Sequence, residues 1–172
     1  TKAAADHLSL AYHITHGLDV VVTRSSNNYG PNQHPEKLIP LMITNALQDK
    51  PLPVYGDGLH VRDWLHVKDH CRGLIDAVDN GAPGRILNFG GDAERTNLSV
   101  VKEILQIMDR PSDLIQHVQD RLGHDRRYAI DSSRAQSELG WEPSIAFSDG
   151  LRETVDWYVT NQSWWKNLNC ND

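Results

Sequence analysis

The sequence has little cysteine, with only Cys71 and Cys170 among its 172 residues. Two cysteines cannot build the framework of several disulfides on which small secreted domains depend. Cys71 falls in a stretch with helical periodicity, and Cys170 falls in the polar tail NCND. This usage is typical of a protein from a reducing compartment, and we therefore expect a cytoplasmic location.

Long apolar runs are also missing. The longest, Leu38 to Ile43, has Pro40 in its middle, whereas a helix that crosses a bilayer needs about 20 apolar residues. No basic segment followed by an apolar one opens the chain as a secretion leader would. We expect no membrane partner.

An excess of positive charge is the third absence. The chain has 17 Lys and Arg against 23 Asp and Glu, which gives a formal net charge of −6. General nucleic-acid binding needs a basic face, so we expect no nucleic-acid partner. The hydrophobic fraction of 39% is enough for a packed core.

Several catalytic signatures are absent as well. The sequence contains no P-loop and no Ser-His-Asp signature. The pairs His13 with His16 and His66 with His70 have helical ligand spacing, but neither comes with a third ligand in a recognisable motif. We therefore expect no metal site.

Apolar periodicity that switches between helical and strand patterns is what the sequence does have. Helices are predicted over about 2–16, 36–48, 68–78, 97–109, 132–139 and 147–160, and strands over 19–24, 52–55, 60–67 and 85–91. The run DVVVTR is continuous and β-branched, as in strands buried on both faces of a parallel sheet. Alternating helices and strands predict an α/β fold.

Six segments carry a family resemblance: TKAAADHL, TRSSNNYGPNQHPEKLIP, PLPVYGDGLHVRDWLHVKDH, NFGGDAERTNLSVV, DRLGHDRRYAID and LGWEP. In this order they resemble the dTDP-glucose 4,6-dehydratases of the extended short-chain dehydrogenase/reductase family. NNYGP and RDWLHVKD are shared in form by many nucleotide-sugar enzymes, whereas PEKLIP and DRLGHDRRYAID are more particular to the 4,6-dehydratases.

The resemblance implies a fold and an activity. The fold would be the C-terminal part of a Rossmann-like NAD-binding domain, over residues 1–30, joined to a smaller sugar-nucleotide-binding domain over 31–172, from which about 61–90 would return to the Rossmann part. The activity would convert dTDP-glucose to dTDP-4-keto-6-deoxyglucose, with loss of water and internal hydride transfer through NAD. The full-length family members are homodimers.

The resemblance also implies that this chain is the substrate-binding half. Lys2 matches the lysine of the family's Tyr-x-x-x-Lys pair, which lowers the pKa of the tyrosine and holds the nicotinamide ribose. The tyrosine, the glycine-rich NAD loop and the Asp and Glu for water loss would all precede residue 1, so the chain by itself is expected to be inactive. The alternatives are another nucleotide-sugar epimerase or decarboxylase of the superfamily, and a non-catalytic nucleotide-sugar-binding fragment.

Two loops supply further expected contacts. In SNNYGP, which follows the strand 19–24, the resemblance implies that Asn27 contacts the sugar nucleotide and Asn28 contacts NAD. A loop at the end of a parallel strand is also where α/β sheets bind ligands. The alternative is an asparagine-rich loop that satisfies its own backbone. By resemblance, Lys37 and Leu38 match substrate contacts of the family, and they lie at the start of the next helix, whose N-terminus suits a phosphate. The alternative for Leu38 is packing in the core.

The remaining candidates lie around the nucleotide. By resemblance, Pro53, Val54 and Tyr55 lie along the base, where Tyr55 either stacks on a pyrimidine or packs the turn before Gly56. Asn97 matches a substrate contact and is equally suited to be a helix N-cap.

The stretch DRLGHDRRYAID collects positive charge in an acidic chain. Guanidinium groups bind diphosphate oxygens through paired hydrogen bonds, which makes Arg62 and Arg121 candidates for a diphosphate clamp. We also expect substrate contacts from the rest of the loop, namely from Asp120 to a ribose hydroxyl, from His124 to a phosphate or sugar oxygen, and from Leu122 and Gly123. Proline is usual in the family where Leu122 stands. Arg126 and Arg127 are interpreted as structural or solvated.

Overall fold

The structure, a computed structural model, describes residues 1–168. Its helices are α1 (Lys2–His16), α2 (Leu38–Leu47), α3 (Val67–Asn80), α4 (Asn97–Ile107), α5 (Ser133–Leu139), α6 (Phe147–Thr160) and α7 (Gln162–Leu168). Its strands are β1 (Val22–Ser25), β2 (Asn27–Tyr29), β3 (Leu52–Tyr55), β4 (Val61–His66), β5 (Ile86–Phe89), β6 (Glu94–Thr96), β7 (Ile115–Val118) and β8 (Arg127–Tyr128). The predicted α/β class is confirmed.

The strands pair mostly in parallel. β1 pairs with β5, β3 pairs with β7, and β2 and β8 both run parallel to β4. The antiparallel pair is that of β4 with β6. The strands thus form two separate pairs and one four-stranded sheet, in which β4 contacts β2, β6 and β8.

Most helix boundaries follow from the sequence. α1 covers the predicted residues, and Gly17 ends it in the left-handed conformation with φ of 66°, which glycine adopts without steric cost. The second helix begins at Leu38 rather than near Glu36, because Lys37 is already extended. The strand predicted over 19–24 begins only at Val22.

One predicted alternative is wrong. The N-cap of α4 is Thr96, whose side-chain oxygen accepts a hydrogen bond from the backbone N–H of Ser99 at 3.1 Å. Asn97 is instead the first residue of the helix. The side-chain amide of Asn97 therefore does not cap the helix.

Two clusters of buried side chains hold the described residues together. The larger one packs α2, α4 and α6 against β3 and β4, and includes Ile39, Ile104 and Leu151. The smaller one surrounds β5 and includes Leu87 and Trp141. The division into a Rossmann part and a sugar-nucleotide part stays a prediction.

The first helix has a different environment. Within residues 1–168, no side chain of α1 is buried, and Ile14 is 81% exposed. An ion pair of 2.6 Å between Arg24 and Asp6 ties α1 to β1.

Among the described helices, none combines the length and the apolar composition needed to cross a membrane. Cys71 is exposed and unpaired with another cysteine of the described part of the chain, whereas Cys170 lies outside the described residues.

Candidate functional site

A cavity of about 580 Å³ opens between β4, the start of α2, the end of β3 and the loop after β7. It gathers nine of the residues singled out in the sequence: Asn27, Lys37, Leu38, Pro53, Tyr55, Arg62, Asn97, Arg121 and His124. These residues are spread over almost 100 positions of the chain, so the fold brings them together. The cavity is the candidate ligand site.

Arg62 is the buried cation of the cavity wall. The residue is 7% exposed, and its guanidinium donates hydrogen bonds of 2.7 Å to the backbone carbonyls of Val61 and Asp125. Among the described residues it forms no ion pair with a carboxylate. A buried charge usually has a charged partner, and Arg62 has none in this part of the chain.

Arg121 is the second cation at the cavity. Its guanidinium carbon lies 4.3 Å from the centroid of the Tyr55 ring, which is cation–π geometry. Within the described chain, it too forms no ion pair with a carboxylate. One face of the Tyr55 ring is thereby covered, and its stacking on a pyrimidine stays a prediction.

The other arginines of the loop behave differently. Arg126 donates two hydrogen bonds to Asp57, at 2.8 and 2.9 Å, and holds the pKa of that carboxyl well below its usual range. Arg127 makes the same kind of fork with Glu94, at 2.7 and 2.6 Å, and lowers the pKa of Glu94. Both are paired on the surface, as predicted, whereas Arg62 and Arg121, which line the cavity, have no carboxylate partner among the described residues.

Asp120 is held by internal hydrogen bonds. Its carboxylate accepts from the Arg121 amide at 2.8 Å and contacts a ring nitrogen of His124 at 2.7 Å and one of His60 at 3.2 Å. The bond from His124 is the main cause that keeps the pKa of Asp120 below its ordinary value. Asp120 is not among the residues that line the cavity, and its contact with a ribose hydroxyl stays a prediction.

The same three residues form a group that could be taken for a metal site, since their ligand atoms lie within 4.8 Å of one another. However, the rings of His60 and His124 are stacked, with centroids 3.9 Å apart and planes 18° apart. An imidazole binds a metal in the plane of its ring, and two parallel, stacked planes do not converge on one ion. We interpret the group as a hydrogen-bonded cluster.

The other predicted contacts lie apart from the cavity lining. Val54 is buried in the larger core cluster, and Leu122 is fully exposed. Gly123 is exposed in the left-handed region with φ of 67°. Lys2 is exposed at the start of α1. Their roles stay predictions.

Asn28 is part of a local hydrogen-bond network. Its amide nitrogen donates to Ser26 and Ser25, and its oxygen contacts His70 at 2.7 Å. This agrees in part with the alternative in which the segment satisfies its own polar groups, although Asn28 lies in the strand β2 and not in a loop. The contact with NAD stays a prediction.

Sequence reasoning missed five residues of the cavity lining: Glu36, Leu41, Met42, Trp64 and Tyr128. Leu41 and Met42 lie one turn into α2, on the same side as Leu38, and helical spacing was the available signal. Trp64 follows Arg62 by two positions on β4, so strand alternation placed both on one face. For Tyr128 the sequence held no such signal.

Comparison with known proteins identifies a matching family and several similar proteins. Residues 1–154 match the sequence model of the family described as GDP-mannose 4,6 dehydratase. The dTDP-glucose 4,6-dehydratase of an Actinoplanes species is 54% identical over 165 residues, which are 96% of this chain and 52% of that protein. The chain thus spans about half the length of the curated relatives it matches.

Solved structures agree with the sequence comparison. A dTDP-glucose 4,6-dehydratase from Bacillus anthracis, crystallised with NAD, is 53% identical, with a TM-score of 0.93 over 97% of this chain and 53% of that one. A dTDP-glucose 4,6-dehydratase from Streptomyces venezuelae, with NAD and TYD bound, is 47% identical with a TM-score of 0.94, over 97% and 52% of the two chains. The resemblance recognised in the sequence is confirmed, and the chain belongs to the GDP-mannose 4,6 dehydratase family.

Proposed function

We propose that this chain forms the nucleotide-sugar-binding part of a dTDP-glucose 4,6-dehydratase. Such an enzyme converts dTDP-glucose to dTDP-4-keto-6-deoxyglucose with loss of water. The observation that carries the proposal is the pair Arg62 and Arg121, two guanidinium groups at one cavity with no carboxylate partner among the described residues. The identity of 47–54% to dTDP-glucose 4,6-dehydratases supports this substrate rather than that of an epimerase or decarboxylase.

A diphosphate is the ligand group that the two arginines suit best. It carries several anionic oxygens, and guanidinium groups bind such oxygens through short, charge-assisted hydrogen bonds. Arg62 is fixed in place by two backbone carbonyls, so little side-chain entropy is lost when it binds. The N-terminus of α2, beside Lys37 and Leu38, adds backbone N–H groups at the same cavity.

The rest of the cavity provides polar groups for the sugar and an apolar wall for the base. Asn97 is 9% exposed, and within the described residues its side-chain amide makes no hydrogen bond, which leaves it available to a ligand hydroxyl. Pro53 and Tyr55 at the end of β3 supply the apolar surface. We assign the nucleoside to that side and the hexose to the side of Asn27 and Asn97.

NAD is the cofactor that the proposal requires. Bound NAD would supply the hydride acceptor and donor of the reaction. The residues present fit part of such a site: Ser26, where β1 ends, is 7% exposed and its buried hydroxyl has no partner among the described residues. Ligands of α/β sheets bind at this end of the strands. Lys2 and Asn28 would contact the cofactor, with Lys2 acting as the lysine of the catalytic pair.

The proposal extends to the assembly and location of the whole protein. We expect a homodimer, as in the family, and a cytoplasmic location, where NAD and nucleotide sugars are available. The chain alone is expected to bind nucleotide without turning it over, because these 172 residues contain no match to the family's catalytic tyrosine.

Calorimetric titration with dTDP tests the proposal. Arg62→Ala and Arg121→Ala should each weaken binding about tenfold to a hundredfold, since a hydrogen bond to a charged group contributes about 1.5–3 kcal/mol. Arg126→Ala is the matched control, because that guanidinium is already paired with Asp57, and its dTDP affinity should stay close to that of the unmodified chain. Arg62→Lys should restore binding only in part, because it keeps the charge and loses the fork.

Circular dichroism of each variant establishes that it is folded before titration. If dTDP binds equally to the unmodified chain, to Arg62→Ala and to Arg121→Ala, the cavity is not the diphosphate site. If dTDP does not bind even to the chain completed with the N-terminal half of the Actinoplanes relative, the proposed function is wrong.

A further inference from the structure

His60 lies beneath the loop that carries Arg121 and belongs to neither the predicted contacts nor the cavity lining. It immediately precedes β4 and is 3% exposed. Its ring stacks on that of His124, with centroids 3.9 Å apart. A polar side chain buried at this place needs a reason, because polar groups lose their water on burial.

The ring nitrogen Nε2 of His60 provides that reason. It lies 3.2 Å from Oδ2 of Asp120, while the other carboxylate oxygen, Oδ1, contacts His124 at 2.7 Å and accepts the Arg121 amide at 2.8 Å. The carboxylate is therefore held on both sides. The orientation of this carboxylate sets the position of the Arg121 backbone amide, which donates to it.

The surroundings of the two ring nitrogens indicate the tautomer of His60. The other ring nitrogen, Nδ1, is buried and has no partner among the described residues. A neutral imidazole has one donor and one acceptor nitrogen, and a bare acceptor is tolerated there more readily than an N–H without an acceptor. The proton is thus assigned to Nε2, the nitrogen that lies 3.2 Å from the carboxylate of Asp120.

The backbone of His60 reaches a second part of the site. Its carbonyl accepts a hydrogen bond of 2.9 Å from the amide of Asn97, the first residue of α4. Arg62 lies two positions further along the chain, on β4. One buried residue is thereby linked to Arg121, Asn97 and Arg62, three residues of the cavity wall that come from different segments.

We propose that His60 is a positioning residue for the diphosphate site, which acts through Asp120 to hold Arg121 over Tyr55. The inference rests on the proposed function of this cavity, and it goes beyond that function by assigning a task to a residue that touches no ligand. Without the His60 nitrogen beside Oδ2, the carboxylate of Asp120 would be held on one side only, and the Arg121 amide that it accepts would be less firmly placed. The cost would appear in ligand affinity rather than in folding alone.

The experiment compares two substitutions of nearly equal size. His60→Gln keeps a side-chain N–H of suitable length, whereas His60→Met has a similar volume and no donor. We expect His60→Met to weaken dTDP binding about threefold to tenfold, in keeping with the loss of one polar contact to a charged group whose effect reaches the ligand through Arg121. His60→Gln should stay within about twofold of the unmodified chain by the same principle.

A readout without ligand separates this inference from the proposed function. The Arg121 amide, which donates to Asp120, should change its ¹H–¹⁵N signal and lose protection from hydrogen exchange in His60→Met, and keep both in His60→Gln. His66→Gln serves as the control for loss of a buried histidine at the other end of β4. It is expected to lower the melting temperature and to leave the Arg121 signal and the dTDP affinity unchanged.

These measurements can either support or overturn the positioning role of His60. If the Arg121 signal and the dTDP affinity are the same in both His60 variants and in the unmodified chain, the inference is overturned. If the unmodified chain binds no dTDP while the Arg121 signal still distinguishes Met from Gln, His60 positions Arg121 and the proposed function is what has failed. Should His60→Met not fold, His60→Asn replaces it, because asparagine is too short to reach Asp120 and is expected to give the same loss.

Discussion

The guanidinium of Arg62 lies over the ring of Tyr128, with 4.5 Å between its central carbon and the ring centroid. The two residues are direct partners in the parallel pairing of β4 with β8. The hydroxyl of Tyr128 donates to the side-chain oxygen of Asn27, which lines the same cavity. Tyr128 thereby connects the buried cation of the site with a predicted substrate contact.

This arrangement predicts a graded effect of substitutions at position 128. Tyr128→Leu removes the ring from Arg62 and should weaken dTDP binding about twofold to thirtyfold, the range expected for loss of a cation–π contact of about 0.5–2 kcal/mol. Tyr128→Phe keeps the ring, loses only the bond to Asn27, and should have the smaller effect. Calorimetric titration with dTDP measures both.

Tyr12→Leu, on the exposed helix α1, is the control for loss of a tyrosine outside the cavity. Its affinity for dTDP should equal that of the unmodified chain. A Tyr128→Leu variant that binds as tightly as Tyr128→Phe would show that the ring does not support Arg62.

The elements that could be predicted are those with their own local signals. α1 has a regular apolar pattern and ends at Gly17, whose positive φ needs glycine. β6 and β8 have no such signal, because both are very short and exist through their pairing with β4. The sequence likewise did not distinguish Thr96 from Asn97 as the cap of α4, since both residues can cap a helix.

The candidate site divides in the same way. The chemistry of guanidinium groups with a diphosphate singled out Arg62 and Arg121, and strand alternation could have added Trp64. The position of Tyr128 depends on the register of β4 with β8, and that of His60 depends on a contact with Asp120, sixty positions away. Neither the register nor the contact can be predicted from local sequence, because both arise from tertiary packing.

The exposed apolar residues of α1 and α3 predict that the chain associates. Ile14 and Val78 are 81% and 83% exposed, and a cavity of about 730 Å³ between β1 and α3 is lined by Val20, Val21 and Leu74 among others. Apolar patches of this kind usually mark surfaces that another chain segment or subunit covers. We expect the chain alone to self-associate in sedimentation velocity at micromolar concentration.

Replacement of one of these exposed apolar residues by a charged one should reverse this association. Ile14→Glu and Val78→Glu are each expected to shift the distribution toward monomer. Leu122→Glu is the control, because Leu122 is an equally exposed apolar residue on the loop beside the cavity. A sharp monomer for the unmodified chain, with cooperative melting, would contradict the prediction.

Asp69 on α3 anchors the segment that follows α5. Its carboxylate accepts hydrogen bonds from the Ser144 hydroxyl at 2.7 Å, from Arg72 at 2.8 Å, and from the amides of Ser144 and Ile145 at 3.0 and 2.9 Å. Burial by itself raises the pKa of Asp69, but these hydrogen bonds outweigh it and hold the pKa below its ordinary value. The unfolded chain therefore binds a proton on this carboxyl at a higher pH than the folded one.

The sign of the pH effect follows from this difference. The stabilising contribution of Asp69 should be complete above the unfolded pKa of about 3.9 and should be lost as the pH falls through the lower pKa of the folded state. Asp69→Asn should cost about 1.5–3 kcal/mol in the free energy of unfolding at pH 7, because the hydrogen bonds to a charged acceptor are weakened. It should also make unfolding less sensitive to pH below about pH 4 than in the unmodified chain.

Urea titrations at pH 7 and below pH 4 measure both effects, with Asp79→Asn as the control, because Asp79 is an exposed carboxyl near the end of the same helix. If Asp69→Asn and the unmodified chain lose stability in parallel below pH 4, the carboxylate of Asp69 does not contribute to the acid sensitivity of the fold.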